Sequence, residues 1–190
     1  MRIVIGNTII PFDLFCEFMG YWLSDGSTIR KSQIVIAQQD GESAKPYIVS
    51  CISNMGFEPH SSYDKVSFYN TDICQYLKQF GRCASKYVPH QIKNASRRQI
   101  RIFLDAFIKC DGYIKKPKPF IGNRGGYCMG CEERIYYTTS KLLASDLGEM
   151  ILKVGKRPSY RIGRTAGFEI QFKNGCLLYT SPSPRDGATS

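Results

Sequence analysis

The chain has 190 residues, 43% of them hydrophobic, so it can bury a core, and a disordered or fibrous protein is excluded. Lysine and arginine outnumber aspartate and glutamate by 26 to 16, and the resulting net charge of +10 favours a polyanionic partner. The sequence has no run of about 18 apolar residues and no secretory leader. We therefore expect a protein that acts inside a cell, is encoded by a cell, a phage or a virus, and has no membrane partner. The eight cysteines are interpreted as mostly buried, reduced thiols.

The first half of the chain predicts helices that alternate with strands. Residues 11–25 carry apolar side chains at helical spacing, and Gly26 follows as a C-terminal stop. Residues 27–38 are rich in β-branched side chains and alternate in polarity before Asp40-Gly41, which predicts a strand and a turn. A helix, one or two strands and a short helix are then predicted at 42–55, 57–69 and 72–80.

The second half repeats this order. Residues 94–111 predict another amphipathic helix that ends in Asp-Gly, with Ser96 and Gln99 at the spacing of a capping box. The following strand, helix and two strands are predicted at 134–139, 140–154, 160–162 and 168–172. We interpret the chain as one duplicated α+β unit, with a first repeat and linker at 1–93 and a second repeat at 94–175.

The C-terminal ends of the two long helices carry the same pattern. The strings are FMGYWLSDG and LDAFIKCDG, at 18–26 and 104–112. Small residues four positions apart form a stripe on each helix: Gly20 and Ser24, and Ala106 and Cys110. Helices that pack along such stripes approach closely, so Asp25 and Asp111 are predicted to meet.

Two adjacent carboxylates at helix C-termini are electrostatically unfavourable. They repel each other, and the negative end of each helix dipole disfavours their charge, so a cation must neutralise them. A hard divalent cation such as Mg²⁺ prefers oxygen ligands, and phosphodiester cleavage is a reaction that carboxylate–metal sites perform. Asp25 and Asp111 therefore predict a magnesium site.

These strings resemble the motifs of the LAGLIDADG, or dodecapeptide, homing endonucleases. The resemblance extends over 12–172, although Asp105 and Lys109 depart from the usual apolar interior of the second motif. Lys86-Tyr87-Val88-Pro89 is similar to the Lys-x-Ile/Val-Pro segment that precedes the second motif in this family. The form of the motifs is most like that of endonucleases inserted in inteins.

The resemblance implies two pseudosymmetric αββαββα repeats, with paired central helices and curved antiparallel sheets that bind DNA. It implies a monomeric pseudo-dimer that cuts both strands of a specific double-stranded DNA site. Asp25 and Asp111 would be catalytic and would bind Mg²⁺, with Gly26 and Gly112 as further metal-binding positions. Lys86 would help to position or activate the hydrolytic water.

Side chains on the outer faces of the sheets are expected to read base edges, while Lys and Arg contact phosphates. Each of them could equally be a solvated surface residue. The predicted DNA-binding residues are Arg30, Lys31, Gln33, Gln38 and Lys65 in the first repeat, and Arg134, Arg161, Arg164, Gln171 and Lys173 in the second.

Other interpretations remain open at this point. Cys128 and Cys131 have the spacing of half a zinc site, but no second half accompanies them. The alternative function is a non-cleaving DNA- or RNA-binding module, either maturase-like or a decayed endonuclease. A third possibility is a protein-interaction domain, which would show no salt-sensitive affinity for duplex DNA. Residues 176–190 resemble a translated sequencing-library adapter, so we expect the second repeat to be truncated near Gly175.

Overall fold

The computed structural model describes residues 1–121, 127–162 and 167–173, with the backbone alone for 120–121 and 127–129. The chain begins with a hairpin that the sequence did not predict. The elements of the first half are β1 (Arg2–Ile5), β2 (Thr8–Pro11), α1 (Phe12–Asp25), β3 (Gly26–Ile29), β4 (Gln33–Ala37), α2 (Lys45–Asn54), β5 (His60–Ser62), β6 (Lys65–Tyr69) and α3 (Thr71–Lys78).

A 3-10 turn at Cys83–Ser85 and a short helix, α4 (His90–Lys93), connect the two halves. The second half then follows the same order, with one additional hairpin of β8 and β9. Its elements are α5 (Arg97–Asp111), β7 (Gly112–Lys115), β8 (Pro119–Ile121), β9 (Tyr127–Met129), β10 (Glu133–Thr138), α6 (Lys141–Lys153), β11 (Ser159–Ile162) and β12 (Phe168–Lys173).

Each half forms an antiparallel four-stranded sheet with the same connectivity. The strand order is β3-β4-β6-β5 in the first sheet and β7-β10-β12-β11 in the second. Equivalent strands also share a register, because Gly26 pairs with Ile36 in the first sheet and Gly112 pairs with Tyr136 in the second. The predicted duplicated α+β architecture is therefore confirmed, and the repeats differ mainly in the β8-β9 insertion.

The boundary of α5 follows from its sequence. Ser96 is the N-cap, and its hydroxyl accepts a hydrogen bond from the Gln99 backbone N–H, while the Gln99 side chain accepts one from the Ser96 backbone N–H. This is the predicted capping box, in which two otherwise unpaired helix donors are satisfied reciprocally.

The glycines after α1 and α5 act differently from the predicted C-terminal stops. Gly26 has φ −85° and Gly112 has φ −161°, so both are extended and begin strands β3 and β7 instead of adopting the left-handed helical conformation. A Cβ atom at Gly26 would lie 2.3 Å from Cδ1 of Trp22, and one at Gly112 would lie 2.3 Å from Cγ1 of Ile108. Lack of space, and not backbone conformation, requires glycine at these positions.

Helices α1 and α5 pack against each other at the centre of the molecule. A Cβ atom at Gly20 would lie 2.6 Å from the Phe103 carbonyl oxygen and 2.7 Å from Cβ of Ala106. One continuous core surrounds this contact, with Trp22 and Phe107 almost fully buried. No helix in the described part of the chain is long and apolar enough to cross a membrane.

We expect Gly20→Ala to destabilise the protein by about 1–3 kcal/mol, because the new methyl group would overlap backbone atoms of α5. Helix propensity alone would give the opposite sign, since alanine is favoured over glycine in a helix by about 1 kcal/mol. Urea unfolding followed by circular dichroism measures the difference. An unchanged or increased free energy of unfolding would contradict the close approach of α1 and α5.

Candidate active site

A cleft of about 670 Å³ lies at the C-terminal ends of α1 and α5. Asp25 and Asp111 both line it, because each is the last residue of its helix and the two helices are paired. Lys86 lines the same cleft from the segment that connects the repeats. The structure therefore brings the three predicted catalytic residues together.

The outer faces of the two sheets border this cleft. In the first sheet, Ile34 and Ile36 point into the core, so the alternating Gln33 and Val35 lie on the opposite, outer face. Ser27 from the outer face of the first sheet and Tyr137 and Glu169 from that of the second line the cleft. The two carboxylates thus lie between two exposed β-surfaces.

The environment of Asp25 disfavours its negative charge. Burial, together with the charge of Asp111, raises the pKa of Asp25 to about 6, although the ammonium of Lys86 and a hydrogen bond from Gln38 oppose this shift. Burial also raises the pKa of Asp111, again against the effect of Lys86. The site therefore has unfavourable negative charge, which a bound cation would stabilise.

Lys86 binds the end of α1. Its Nζ donates hydrogen bonds to the carbonyl oxygens of Trp22, Leu23 and Ser24, each at 3.1 Å, and lies 5.2 Å from the centre of the Trp22 ring. These three bonds use all the donors of an ammonium group. They satisfy the Leu23 and Ser24 carbonyls, which a helix C-terminus otherwise leaves unpaired, and add a second bond to the Trp22 carbonyl, which also accepts one from the Gly26 N–H. Burial lowers the pKa of Lys86, while Asp25 and Asp111 raise it.

Gln38 differs from its predicted position on a DNA-facing surface. It is 6% exposed, and its Nε2 donates a hydrogen bond of 3.0 Å to Oδ2 of Asp25. The shared register makes Thr138 the equivalent residue in the second repeat, but the Thr138 hydroxyl accepts a hydrogen bond from the Ser140 N–H. Among the described residues, Asp111 has no hydrogen-bond partner comparable to Gln38.

Two predicted DNA-binding residues of the second repeat are less accessible than the sequence predicts. Arg134 lies on the same face of β10 as the buried Tyr136 and forms ion pairs with Asp105 and Glu132, so its charge is already neutralised. Gln171 does lie on the outer face of β12, opposite the buried Ile170 and Phe172, but it is only 9% exposed. The Arg134 difference arises from strand register, which sequence composition does not reveal.

The remaining predicted DNA-binding residues are at least partly accessible. Arg30 and Lys31 are exposed in the β3–β4 turn, and Arg161 and Lys173 are exposed on β11 and β12, whereas Gln33 and Lys65 are half-buried on the outer face of the first sheet. Arg164 lies outside the described residues. The prediction missed several outer-face residues that strict alternation along each strand could have identified: His60, Ser67 and Tyr69 in the first sheet, and Tyr113 and Tyr137 in the second.

The side chains in the cleft fit a hard divalent cation better than zinc. Asp25 and Asp111 supply carboxylate oxygens, and a Mg²⁺-type ion completes its shell with water or substrate phosphate. The described residues contain no group of three or more His, Cys, Asp or Glu side chains arranged to hold a metal. The Cys128 side chain of the suggested zinc pair lies outside the described part of the chain, and Cys131 is exposed.

Comparison with known proteins identifies the fold. No protein-family model and no curated protein sequence matches the chain. Structures of mesophilic variants of the homing endonuclease I-DmoI match with a TM-score of 0.58 at 10% identity, over 85% of this chain and 88% of that chain. I-DmoI in complex with DNA and Mn matches with a TM-score of 0.55 at 10% identity, over 85% and 89% of the two chains.

The N-terminal LAGLIDADG domain of DUF199/WhiA matches with a TM-score of 0.56 at 9% identity, over 90% of this chain and 80% of that one. The chain therefore has the LAGLIDADG fold. Other matching I-DmoI structures contain target DNA with Mg, or DNA with Ca. At this level of identity the similarity shows the fold alone.

We expect Asp25→Asn to stabilise the metal-free protein by about 1–2 kcal/mol at pH 7, since the raised pKa means that ionised Asp25 opposes folding. Between pH 4 and 6 the folded state of the wild type binds the proton more tightly than the unfolded state does. Its free energy of unfolding should therefore fall as the pH rises through this window. The difference between wild type and variant should disappear near pH 4.

Urea unfolding from pH 4 to pH 8 measures this effect, and Asp13→Asn provides a control on the same helix. Arg98 and Gln99 hold the pKa of Asp13 below its usual value, so neutralising Asp13 should destabilise the protein at pH 7. A loss of stability in Asp25→Asn at pH 7 would contradict the raised pKa of Asp25.

Proposed function

We propose that the chain is a LAGLIDADG homing endonuclease that cuts double-stranded DNA with the aid of divalent metal ions. The observation that carries the proposal is the meeting of Asp25 and Asp111 in one cleft between the outer faces of two sheets. The net charge of +10 supports a polyanionic substrate. The chemistry of the paired carboxylates supports hydrolysis of a phosphodiester.

Each polar group in the cleft has a distinct task in this proposal. Asp25 and Asp111 would hold the divalent cations, which supply polarisation of the scissile phosphate and a more acidic water. Gln38 fixes the orientation of the Asp25 carboxylate through its 3.0 Å hydrogen bond. Lys86 balances part of the negative charge while it binds the end of α1. Gly26 and Gly112 allow the strands to leave the site without a steric clash.

The outer faces of the sheets would contact the DNA on both sides of the cleft. Polar and aromatic side chains on these faces suit base edges, and the exposed cations Arg30, Lys31, Arg161 and Lys173 suit phosphates. Because both repeats lie in one chain, a monomer would cover both halves of a target site. The proposal also includes Mg²⁺ as the metal ion, a location inside a cell, and an origin from an intein.

A non-cleaving DNA- or RNA-binding module is the second candidate function. It is favoured by Lys86, whose three donors already bind α1, and by the similarity to DUF199/WhiA, which carries the same fold. Such a module would bind nucleic acid in a salt-sensitive way and leave it intact.

We expect cleavage of a plasmid library of target sites to require Mg²⁺ or Mn²⁺. The cleavage rate should fall by about 100-fold or more in Asp25→Asn and in Asp111→Asn. Each substitution replaces a negatively charged carboxylate that would bind the metal with a neutral amide. Binding of the selected DNA in Ca²⁺, measured by fluorescence anisotropy, should weaken by less than about tenfold and fall steeply with salt.

Asp13→Asn is the matched control, since it neutralises a carboxylate at the opposite end of α1, and it should still cut. Tight, salt-sensitive binding without cleavage in any metal would support the non-cleaving module and refute the endonuclease. Absence of DNA and RNA binding would refute both.

A further inference from the structure

Helix α6 holds the backbone of the connecting segment, residues 86–93. The Ser140 hydroxyl, at the N-cap of α6, donates a hydrogen bond of 2.6 Å to the Lys86 carbonyl oxygen. Asp146, one turn and a half further along α6, accepts a 2.8 Å hydrogen bond from the Val88 N–H and another from the Lys93 ammonium. Both residues are buried, with exposures of 0% for Ser140 and 9% for Asp146.

The Lys86 side chain extends from this segment to the first repeat. Its Nζ contacts three carbonyl oxygens at the end of α1, while its own carbonyl oxygen is bound by Ser140 of the second repeat. A buried ammonium is costly unless its donors are satisfied, and the three acceptors of Lys86 all lie at one helix end, within reach of a limited range of backbone positions. The location of the Lys86 backbone therefore decides whether this arrangement forms.

We propose that Ser140 and Asp146 are positioning residues for Lys86. They fix the connecting segment on α6. The second repeat therefore determines where the Lys86 ammonium lies at the C-terminal end of α1, next to Asp25. Neither side chain contacts Asp25 or Asp111, so their hydrogen bonds to the connecting segment can affect the carboxylates only through the position of Lys86. The consequence for cleavage rests on the proposed endonuclease function, but the positioning of Lys86 does not.

Acetylation of lysines in the full-length protein tests the positioning without requiring activity. The native protein is treated with an acetylating N-hydroxysuccinimide ester, and the rates at individual lysines are read by peptide mass spectrometry. Lys45 is an internal reference, because it is also buried, at 7% exposure, and is held by Asp40 in the first repeat. Global unfolding would expose both lysines, whereas release of the connecting segment would expose only Lys86.

We expect Ser140→Ala to accelerate acetylation of Lys86 about tenfold and to leave Lys45 unchanged, as loss of a buried hydrogen bond shifts a local opening equilibrium. Ser96→Ala is the matched control, since it removes a serine N-cap from α5 and should leave Lys86 protected. Ser140→Thr, which retains the hydroxyl, should restore protection. If Ser140→Ala does not fold, Asp146→Asn replaces it and should expose Lys86 to a smaller extent.

Unchanged protection of Lys86 in the folded variants, or equal exposure of Lys45, would overturn the proposal.

If the wild type cuts DNA, a second experiment uses the single-turnover cleavage rate. Ser140→Ala should lower this rate about tenfold in the wild type and not at all in a Lys86→Met background, because coupled residues are not additive. An equal loss in both backgrounds would also overturn it. A wild type that cuts no DNA would refute the endonuclease while the acetylation result still decides the positioning.

Discussion

The close approach of α1 and α5 at Gly20 is the contact on which the site depends. Because Gly20 has no side chain, α1 lies directly against the Phe103 backbone and the Ala106 methyl group of α5, and the last residue of each helix reaches the same cleft. The strands β3 and β7 begin at the next residues, so the helix contact also sets the separation of the two sheets. A larger residue at position 20 would disturb the site and the outer faces together.

Burial and charge oppose each other in the cleft. Asp25 and Asp111 are half-buried next to helix ends, where ionised carboxylates are unfavourable, and the structure offsets this only in part with Lys86 and Gln38. Because the neutralisation is incomplete, a divalent cation bound between the two carboxylates would be stabilised by the remaining negative charge. The same charges that destabilise the metal-free fold would therefore supply the affinity for a metal.

The sequence was sufficient for the features that depend on local patterns. The capping box at Ser96 and the paired ends at Asp25 and Asp111 follow from spacing alone, and spacing also gave the order of the repeated elements. Features that depend on register or on distant contacts could not be derived in this way. Gln38, which follows β4, and Arg134 on β10 were assigned to the wrong side because their polarity does not reveal which side is covered. The contact of Lys86 with α1 joins residues 64 positions apart in the chain.

The duplication is preserved in the backbone more closely than in the chemistry. Gln38 and Thr138 occupy equivalent positions, yet only Gln38 contacts a cleft carboxylate. In a homodimer of identical subunits, one codon change would alter both positions at once. In this chain each half has its own codons, so evolution can modify one half of the surface while the other half stays as it is.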